Sequence, residues 1–282
     1  MPPAIVLTSA SKAGTTGGTF ADSLVANTGD SLAVANYGNG GARILEMWGI
    51  DTTSVAELQV IYSRPQATHD QSHGLRVGIP ALVPGGAGNV AAQDLLPGGV
   101  VIDLFKSDVG VFQVSTTAAD NVLVSYVTQY DDLPGAAGVF ISPAQAAQLQ
   151  NSTVGIQVTA VASATRGAYG ATRAFNADDP RLHANTWYAI LGCTFQTPVT
   201  TISLLGPDWG GQRIGMPGSV LEFHTASYFL DQSIKWNQPL IPCFNSNNVG
   251  NVLVQVADGQ ANTSPKLDFV LYELNGPPTP MQ

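Results

Sequence analysis

His69 and His73 stand four residues apart in a polar segment, and their spacing comes closest to a metal site in this chain. Zinc takes three or four protein ligands, so these two imidazoles would need a further ligand from elsewhere in the fold. The segment Gly206–Gly211, which occupies the matching place in an internal repeat described below, contains no histidine. We therefore interpret the histidine segment as a solvated loop between two strands and predict no bound metal.

The other candidates for catalysis lack partners in the sequence. No serine, cysteine or aspartate can be identified that would make His224 a general base, so we interpret it as a partly buried strand residue. The pairs Asp131-Asp132 and Asp178-Asp179 lie in predicted turns, where aspartate accepts hydrogen bonds from backbone N–H groups. Glycine-rich phosphate loops, His-Glu-x-x-His and Cys-x-x-Cys are all missing. We predict no catalytic, cofactor-binding or metal-binding residues, and a protein that is not an enzyme.

Four tryptophans could in principle form a platform on which a sugar ring stacks. Trp48 and Trp187 fall inside predicted strands, which places them in the core. Trp209 and Trp236 are left as the candidates for exposed aromatic residues that bind a carbohydrate.

Charged residues make up only 11% of the chain, against roughly 25% in average soluble domains. The surface must therefore consist largely of uncharged polar groups, or much of it is covered by other subunits. The net charge is −9, and the few basic residues are scattered singly from Lys12 to Lys266, which argues against direct binding of nucleic acid. Cys193 and Cys243 are the only cysteines, and we predict two buried thiols without a disulfide.

Short β-branched and aromatic runs between glycine, proline, asparagine and aspartate clusters predict an all-β fold. In the first half the predicted strands are Ser31–Tyr37, Ala42–Ile50, Glu57–Ser63, Leu75–Ile79, Val100–Phe105, Gly110–Ser115 and Asn121–Tyr130. In the second half they are Thr153–Ala162, Asn185–Cys193, Pro198–Leu205, Gln212–Met216, Ser219–Phe223, Ala226–Ile234, Asn251–Val256 and Leu267–Leu274. One helix is predicted at Ser142–Gln150, with Ser142 as its N-cap and Pro143 in its first turn.

The two halves share short sequence matches in the same order. Gln113–Gly135 aligns with Gln255–Pro277 without a gap, at an offset of 142 residues. The further matches are Arg76–Pro80 with Arg213–Pro217, Gly49 with Gly192, and Ile5–Thr8 with Gln157–Ala160, at offsets of 137, 143 and 152. Collinear matches with a changing offset are typical of two diverged copies that differ in loop length. We predict tandem jelly-roll (β-sandwich) domains over residues 1–135 and 153–282, joined by a linker with a short helix at 136–152.

This organisation resembles the double jelly-roll major capsid proteins of tailless icosahedral viruses, which include adenoviruses and membrane-containing phages. The resemblance is architectural and rests on the repeated segments given above. It implies a homotrimer whose six similar domains form a pseudo-hexameric block, with neighbouring capsomers and minor capsid proteins as partners and an underlying viral membrane as a further one. It also implies a virion protein that is assembled in the host cytoplasm, and the N-terminus has no signal-peptide pattern.

Two other classes of protein stay open. A bicupin enzyme also duplicates a β-barrel, but it needs a His-x-His motif that this chain lacks. A phage tail, spike or decoration protein, or a carbohydrate-binding β-sandwich, would use exposed loop aromatics instead of contacts between subunits. Light scattering separates these, because a binding module is expected to be a monomer and a capsid protein a trimer or shell.

Overall fold

The structure is a computed structural model of the 282-residue chain. It describes residues 4–13, 22–23, 42–51, 56–63, 74–79, 93–94, 96, 102–104, 109–116, 121–130, 138–164, 169–178, 181–195, 199–209, 213–218, 225–258 and 262–279. Residues 4–130 are called the first half here, and residues 138–279 the second half.

The described residues are mostly β-strands with few helices, as the sequence predicts. The strands of the first half are β1 Ala4–Ala13, β2 Asp22–Ser23, β3 Ala42–Asp51, β4 Ala56–Ser63, β5 Gly74–Ile79, β6 Gln93–Asp94, β7 Ile102–Leu104, β8 Val109–Thr116 and β9 Asn121–Tyr130. Those of the second half are β10 Phe140–Ile141, β11 Gln150–Thr159, β12 Arg173–Ala174, β13 Trp187–Phe195, β14 Val199–Leu205, β15 Arg213–Pro217, β16 Ile241–Asn245, β17 Leu253–Asp258 and β18 Lys266–Leu274.

Each half contains two antiparallel sheets. Sheet A has the order β1-β9-β3-β6, and β7 also pairs with β3, while sheet B has the order β2-β8-β4-β5. In the second half, sheet C has the order β10-β16-β13-β18-β11, and sheet D has the order β12-β17-β14-β15. Neighbours within a sheet are mostly distant in sequence, so the chain crosses repeatedly between the two sheets of each half.

The core of the second half follows from the alternation of side chains along its strands. In β18, Leu267, Phe269 and Leu271 are fully buried, whereas Asp268 and Val270 between them are half-buried. Successive strand residues point to opposite faces of a sheet, so the first three side chains share the face that covers the core. Three buried aromatic rings complete this core, and they are Phe175, directly after β12, Tyr188 of β13 and Phe244 of β16.

Helix α1, Pro143–Leu149, is the helix that the sequence predicts between the two halves. Ser142 caps it by accepting a hydrogen bond from the backbone N–H of Gln145, and the Gln145 side chain accepts one from the N–H of Ser142. This reciprocal arrangement satisfies two N–H groups that the first turn of a helix leaves without partners. Ala146 is buried against the strands of sheet C.

The prediction of a strand at Ala226–Ile234 is wrong, because the chain forms helix α2, Tyr228–Trp236, there. Its buried residues are Tyr228, Phe229, Gln232 and Ser233, and this spacing of one and four residues is that of a helix face. A short apolar run does not distinguish a strand from a buried helix by periodicity alone, which explains the error.

Helix α2 also packs against the first half. The rings of Trp48 in β3 and Tyr228 have their centres 6.3 Å apart in an edge-to-face arrangement. Lys235 forms an ion pair with Glu46 of β3, whose side chain is only 8% exposed. β3 is therefore buried on both faces, one of them against the second half.

Candidate interaction surface

Several of the candidate residues in the sequence fall outside the described part of the chain. His69, His73 and His224 lie there, as do Asp131, Asp132 and Asp179, so their interpretations stay predictions. Within the described part, no group of three or more histidine, cysteine, aspartate or glutamate side chains could hold a metal ion. No helix in that part is long and apolar enough to cross a membrane.

The prediction that Trp209 is exposed is wrong. Trp209 is completely buried at the end of a 3-10 helix, Pro207–Trp209, and its indole Nε1 donates a hydrogen bond to the Cys243 carbonyl at 2.8 Å. Trp236 is half-buried at the end of α2, and its Nε1 donates to the Gln232 side chain at 2.9 Å. The two tryptophans therefore form no common platform for a sugar.

Cys193 and Cys243 are both free thiols with no exposed surface. Burial raises the pKa of both side chains, because a thiolate loses its hydration in an apolar environment. These residues fill space in the core, as the sequence predicts.

Asp178 caps a backbone group, in agreement with the prediction of a turn. Its carboxylate accepts hydrogen bonds from the backbone N–H of Thr159 at 2.6 Å and from the Arg173 guanidinium at 2.7 Å. These donors favour the charged form and lower the pKa of Asp178. The loop after β12 thus lies along the edge of β11, near the C-terminal end of that strand.

β11 is an edge strand of sheet C, since β18 is its sole partner among the described strands. In an antiparallel ladder, alternate residues direct both their N–H and C=O groups to the same neighbour. The N–H of Thr159 bonds to Asp178 and so points away from β18. By the same alternation, the backbone groups of Thr153, Gly155 and Gln157 also point away from β18.

A groove with a volume of about 510 Å³ runs beside this edge. Gly155, Ile156 and Gln157 line one side, and Asp178 and Arg181 of the loop after β12 also line the groove, together with Asp268. The Gln157 amide donates to the Asp268 carboxylate at 2.8 Å, which holds both side chains on the outer face of the sheet. The open backbone groups of β11 therefore face a space that is already formed.

A polar cluster surrounds Glu273, near the end of β18, and the sequence did not predict it. Glu273 accepts hydrogen bonds from Asn151 at 2.9 Å and Ser152 at 3.4 Å, and its carboxylate lies 3.1 Å from Nδ1 of His183. The Tyr188 hydroxyl accepts a hydrogen bond from the His183 backbone N–H at 2.9 Å. His183 and Glu273 are 90 residues apart, so no local signal in the sequence joins them. The cluster fastens the start of β11 to the end of β18.

No protein-family model and no curated protein sequence matches the chain. Solved structures with similarity along nearly the whole chain include a cryo-EM structure of T=1 Penaeus vannamei nodavirus, with 8% identity, a TM-score of 0.22 and coverage of 97% of this chain and 98% of that chain. The Macrobrachium rosenbergii nodavirus structure has 9% identity, a TM-score of 0.26 and coverage of 96% and 97%. The PBSX exported protein XepA has 9% identity, a TM-score of 0.19 and coverage of 97% and 86%. TM-scores in this range do not establish a shared fold, so no functional conclusion follows from these similarities.

Proposed function

We propose that the protein is a major capsid protein: a structural subunit of two tandem jelly-roll domains that forms pseudo-hexameric trimers and tiles an icosahedral virus shell. The virion is then its location, and neighbouring trimers are its main partners. Minor capsid proteins and an underlying viral membrane are further partners in this proposal. We propose no catalytic activity for the chain.

The observation that supports this proposal best is the strand order of the two halves. Sheet A (β1-β9-β3-β6) and sheet C (β11-β18-β13-β16) follow the same path when each half is read from its first strand, except that β7 also pairs with β3 in sheet A and β10 extends sheet C. Sheet B (β2-β8-β4-β5) and sheet D (β12-β17-β14-β15) also correspond strand by strand. A jelly roll has eight strands in two sheets, and its chain crosses repeatedly between them, so this strand order supports the proposed jelly-roll domains.

The repeated segments fall on corresponding strands. Arg76 lies in β5 and Arg213 in β15, each the last strand of its sheet, while Tyr130 and Tyr272 lie in β9 and β18. A duplicated domain matters for assembly because three chains with two similar domains each present six similar edges around a threefold axis. This is the geometry that a hexagonal block in a shell requires.

The scarcity of charge supports assembly rather than an isolated monomer. The chain has 31 charged residues among 282, so much of a monomer's surface carries no charge, and depletion of charged residues is typical of surfaces that meet other subunits. Arg173 pairs with Asp178 and Lys235 with Glu46, and the net charge of −9 does not favour contact with nucleic acid.

Light scattering after gel filtration tests the proposal. We expect a mass of three 29.3 kDa chains, or of a larger closed assembly, with little change between low salt and about 1 M salt. Apolar and backbone contacts are barely screened by salt, whereas an interface built on ion pairs would weaken. A monodisperse monomer at high protein concentration in both salts would instead favour a monomeric binding module.

A further inference from the structure

We propose that the open edge of β11 pairs with β11 of a second copy of this chain, antiparallel and about a twofold axis, so that sheet C continues from one subunit into the next. This pairing goes beyond the proposed shell and does not depend on it.

The first support is the composition of the edge strands. Soluble proteins block exposed strand edges with charged residues, prolines or very short strands, because an open edge accepts any other strand. The other edge strands of the described chain follow this rule, β10 by its length of two residues and the rest by a charged residue. The charged residues are Lys12 in β1, Asp22 in β2, Arg76 in β5, Asp94 in β6, Asp103 in β7, Arg173 in β12 and Arg213 in β15. β11 has ten residues and contains neither a charge nor a proline.

The second support is the direction of the open backbone groups. Thr153, Gly155 and Gln157 direct N–H and C=O groups away from β18, and Gly155 and Gln157 line the groove beside this edge. If Gly155 lies opposite Gly155 of the second copy, Thr153 lies opposite the second copy's Gln157, and three residue pairs exchange two hydrogen bonds each. Pairing ends near Thr159, because Asp178 occupies its N–H.

A second copy fits this edge better than an unrelated strand. The chain carries a net charge of −9, so two copies repel each other where their acidic residues meet, but no residue of β11 carries a charge. On the outer face, the Thr153 hydroxyl of one copy lies opposite the Gln157 amide of the other, and this is a donor–acceptor pair. Gly155 at the axis has open space, since an added Cβ would meet nothing closer than the Phe269 carbonyl at 4.0 Å.

A charge-swap experiment at Gly155 tests the pairing. Gly155→Lys places two lysines directly opposite each other at the axis, and Gly155→Asp places two aspartates there; like charges in opposed strand positions are destabilising. Each variant alone should self-associate at least severalfold more weakly than the wild type in sedimentation velocity. An equimolar mixture of the two variants should restore association, because each lysine then faces an aspartate.

Two control variants separate the charge from other effects. Gly155→Ala changes the glycine without adding charge and should associate like the wild type. Gly276→Lys adds the same charge at another glycine with open surroundings, outside β11, and should also leave association unchanged. At a protein concentration where the wild type is monomeric, circular dichroism melting of all variants should match that of the wild type, since Gly155 has room for a side chain in the monomer.

The outcomes distinguish this pairing from the proposed function. If the wild type is a trimer and Gly155→Lys forms the same trimer with the same affinity, the pairing is wrong and the shell proposal stands. A wild-type dimer that separates in Gly155→Lys, with no trimer at any concentration, would support the pairing and overturn the trimer. If the mixture of lysine and aspartate variants fails to associate, β11 does not pair with itself and the proposal is wrong.

Discussion

The carboxylate of Asp178 accepts the backbone N–H of Thr159 at 2.6 Å and thereby closes the open edge of β11 at its C-terminal end. An edge N–H that no strand reaches is otherwise left to water. Asp178 is itself held by Arg173 through an ion pair of 2.7 Å, so the loop after β12 is tied to the strand by a charge-assisted contact.

Replacing Asp178 by alanine should lower the free energy of unfolding by about 1 kcal/mol at pH 7, the usual net value of a hydrogen bond. The pKa of Asp178 is lower in the folded protein than in the unfolded chain. The Asp178 carboxylate therefore stabilises the fold fully above its pKa in the unfolded chain, about 3.9. This stabilisation disappears as the pH falls through its lower pKa in the folded protein. Urea denaturation at pH 7 and at about pH 3 measures the difference.

Asp178→Asn serves as the control, because its amide oxygen still accepts the Thr159 N–H but carries no charge. We expect it to be more stable than Asp178→Ala at pH 7, with a stability relative to the alanine variant that does not change with pH. An equal loss at both pH values in Asp178→Ala would show that the charge of this carboxylate adds nothing to the fold.

The strands of this protein could be predicted from local patterns, but their register could not. The ungapped alignment places Gln113 on Gln255, and both lie in corresponding strands. In sheet B, Gln113 pairs with Gln59, and Gln59 pairs on its other side with Arg76. In sheet D, Gln255 pairs with Ser203, and Ser203 pairs on its other side with Gly215. Gly215 follows Arg76 by 139 residues, so the sequence match of Arg76 with Arg213, at 137, is two residues out of register. Short matches identify a strand, but hydrogen bonds between distant strands determine its register.

The match between Gly49 and Gly192 is further out of register. Gly49 pairs with Val124 of β9, and Gly192 pairs with Val270 of β18. The ungapped alignment places Val124 on Lys266, which is four residues from Val270. The two glycines therefore lie in corresponding strands without being equivalent residues. A glycine is required at position 192 because of the backbone that packs against it, and only the folded chain brings that backbone close.

Gly192→Ala should destabilise the protein by about 3 kcal/mol, within the range of overpacked core positions. A Cβ at this position would overlap the carbonyl oxygen of Thr225 and the backbone of Ala226, and backbone cannot move aside as a side chain can. Gly155→Ala is the matched control, because that glycine has open space, and it should unfold within about 0.5 kcal/mol of the wild type. Thermal or urea unfolding of the two variants measures this. Equal stability of Gly192→Ala and Gly155→Ala would show that Thr225 and Ala226 do not approach β13 closely.

The polar contacts between distant parts of the described chain could not be predicted from the sequence either, because only folding brings those residues together. Glu46 and Lys235 are 189 positions apart, and nothing near either residue indicates an ion pair. Trp209 stands in a segment with glycine, proline and aspartate around it, which is typical of an exposed loop, yet its ring is completely buried. The segment turns inward because the Trp209 indole finds a carbonyl acceptor on Cys243. Local composition predicts exposure only when no distant partner is present.

Lys235→Met should reduce the free energy of unfolding by about 2 kcal/mol, because it leaves the Glu46 carboxylate buried without a cation. Neither carboxylate oxygen of Glu46 accepts a conventional hydrogen bond from the described residues. Glu46→Gln should cost less, since the half-exposed Lys235 side chain can turn its ammonium to water. The double variant should be more stable than the sum of the single losses predicts, and a double-mutant cycle in urea measures this coupling. Strictly additive losses would mean that the two residues do not interact across the halves.

The two cysteines should be unreactive in the native protein. Their thiols have no exposed surface, and burial raises the pKa of each, so almost no thiolate is available to a labelling reagent at pH 8. We expect two thiols per chain to react after unfolding, and essentially none before it, with no change of mass when the reductant is omitted. Cys193→Ala and Cys243→Ala each remove one reactive group and identify which thiol reacts. Rapid labelling of the folded wild type, or an intact mass lower by two hydrogens, would contradict the packing of these side chains in the core.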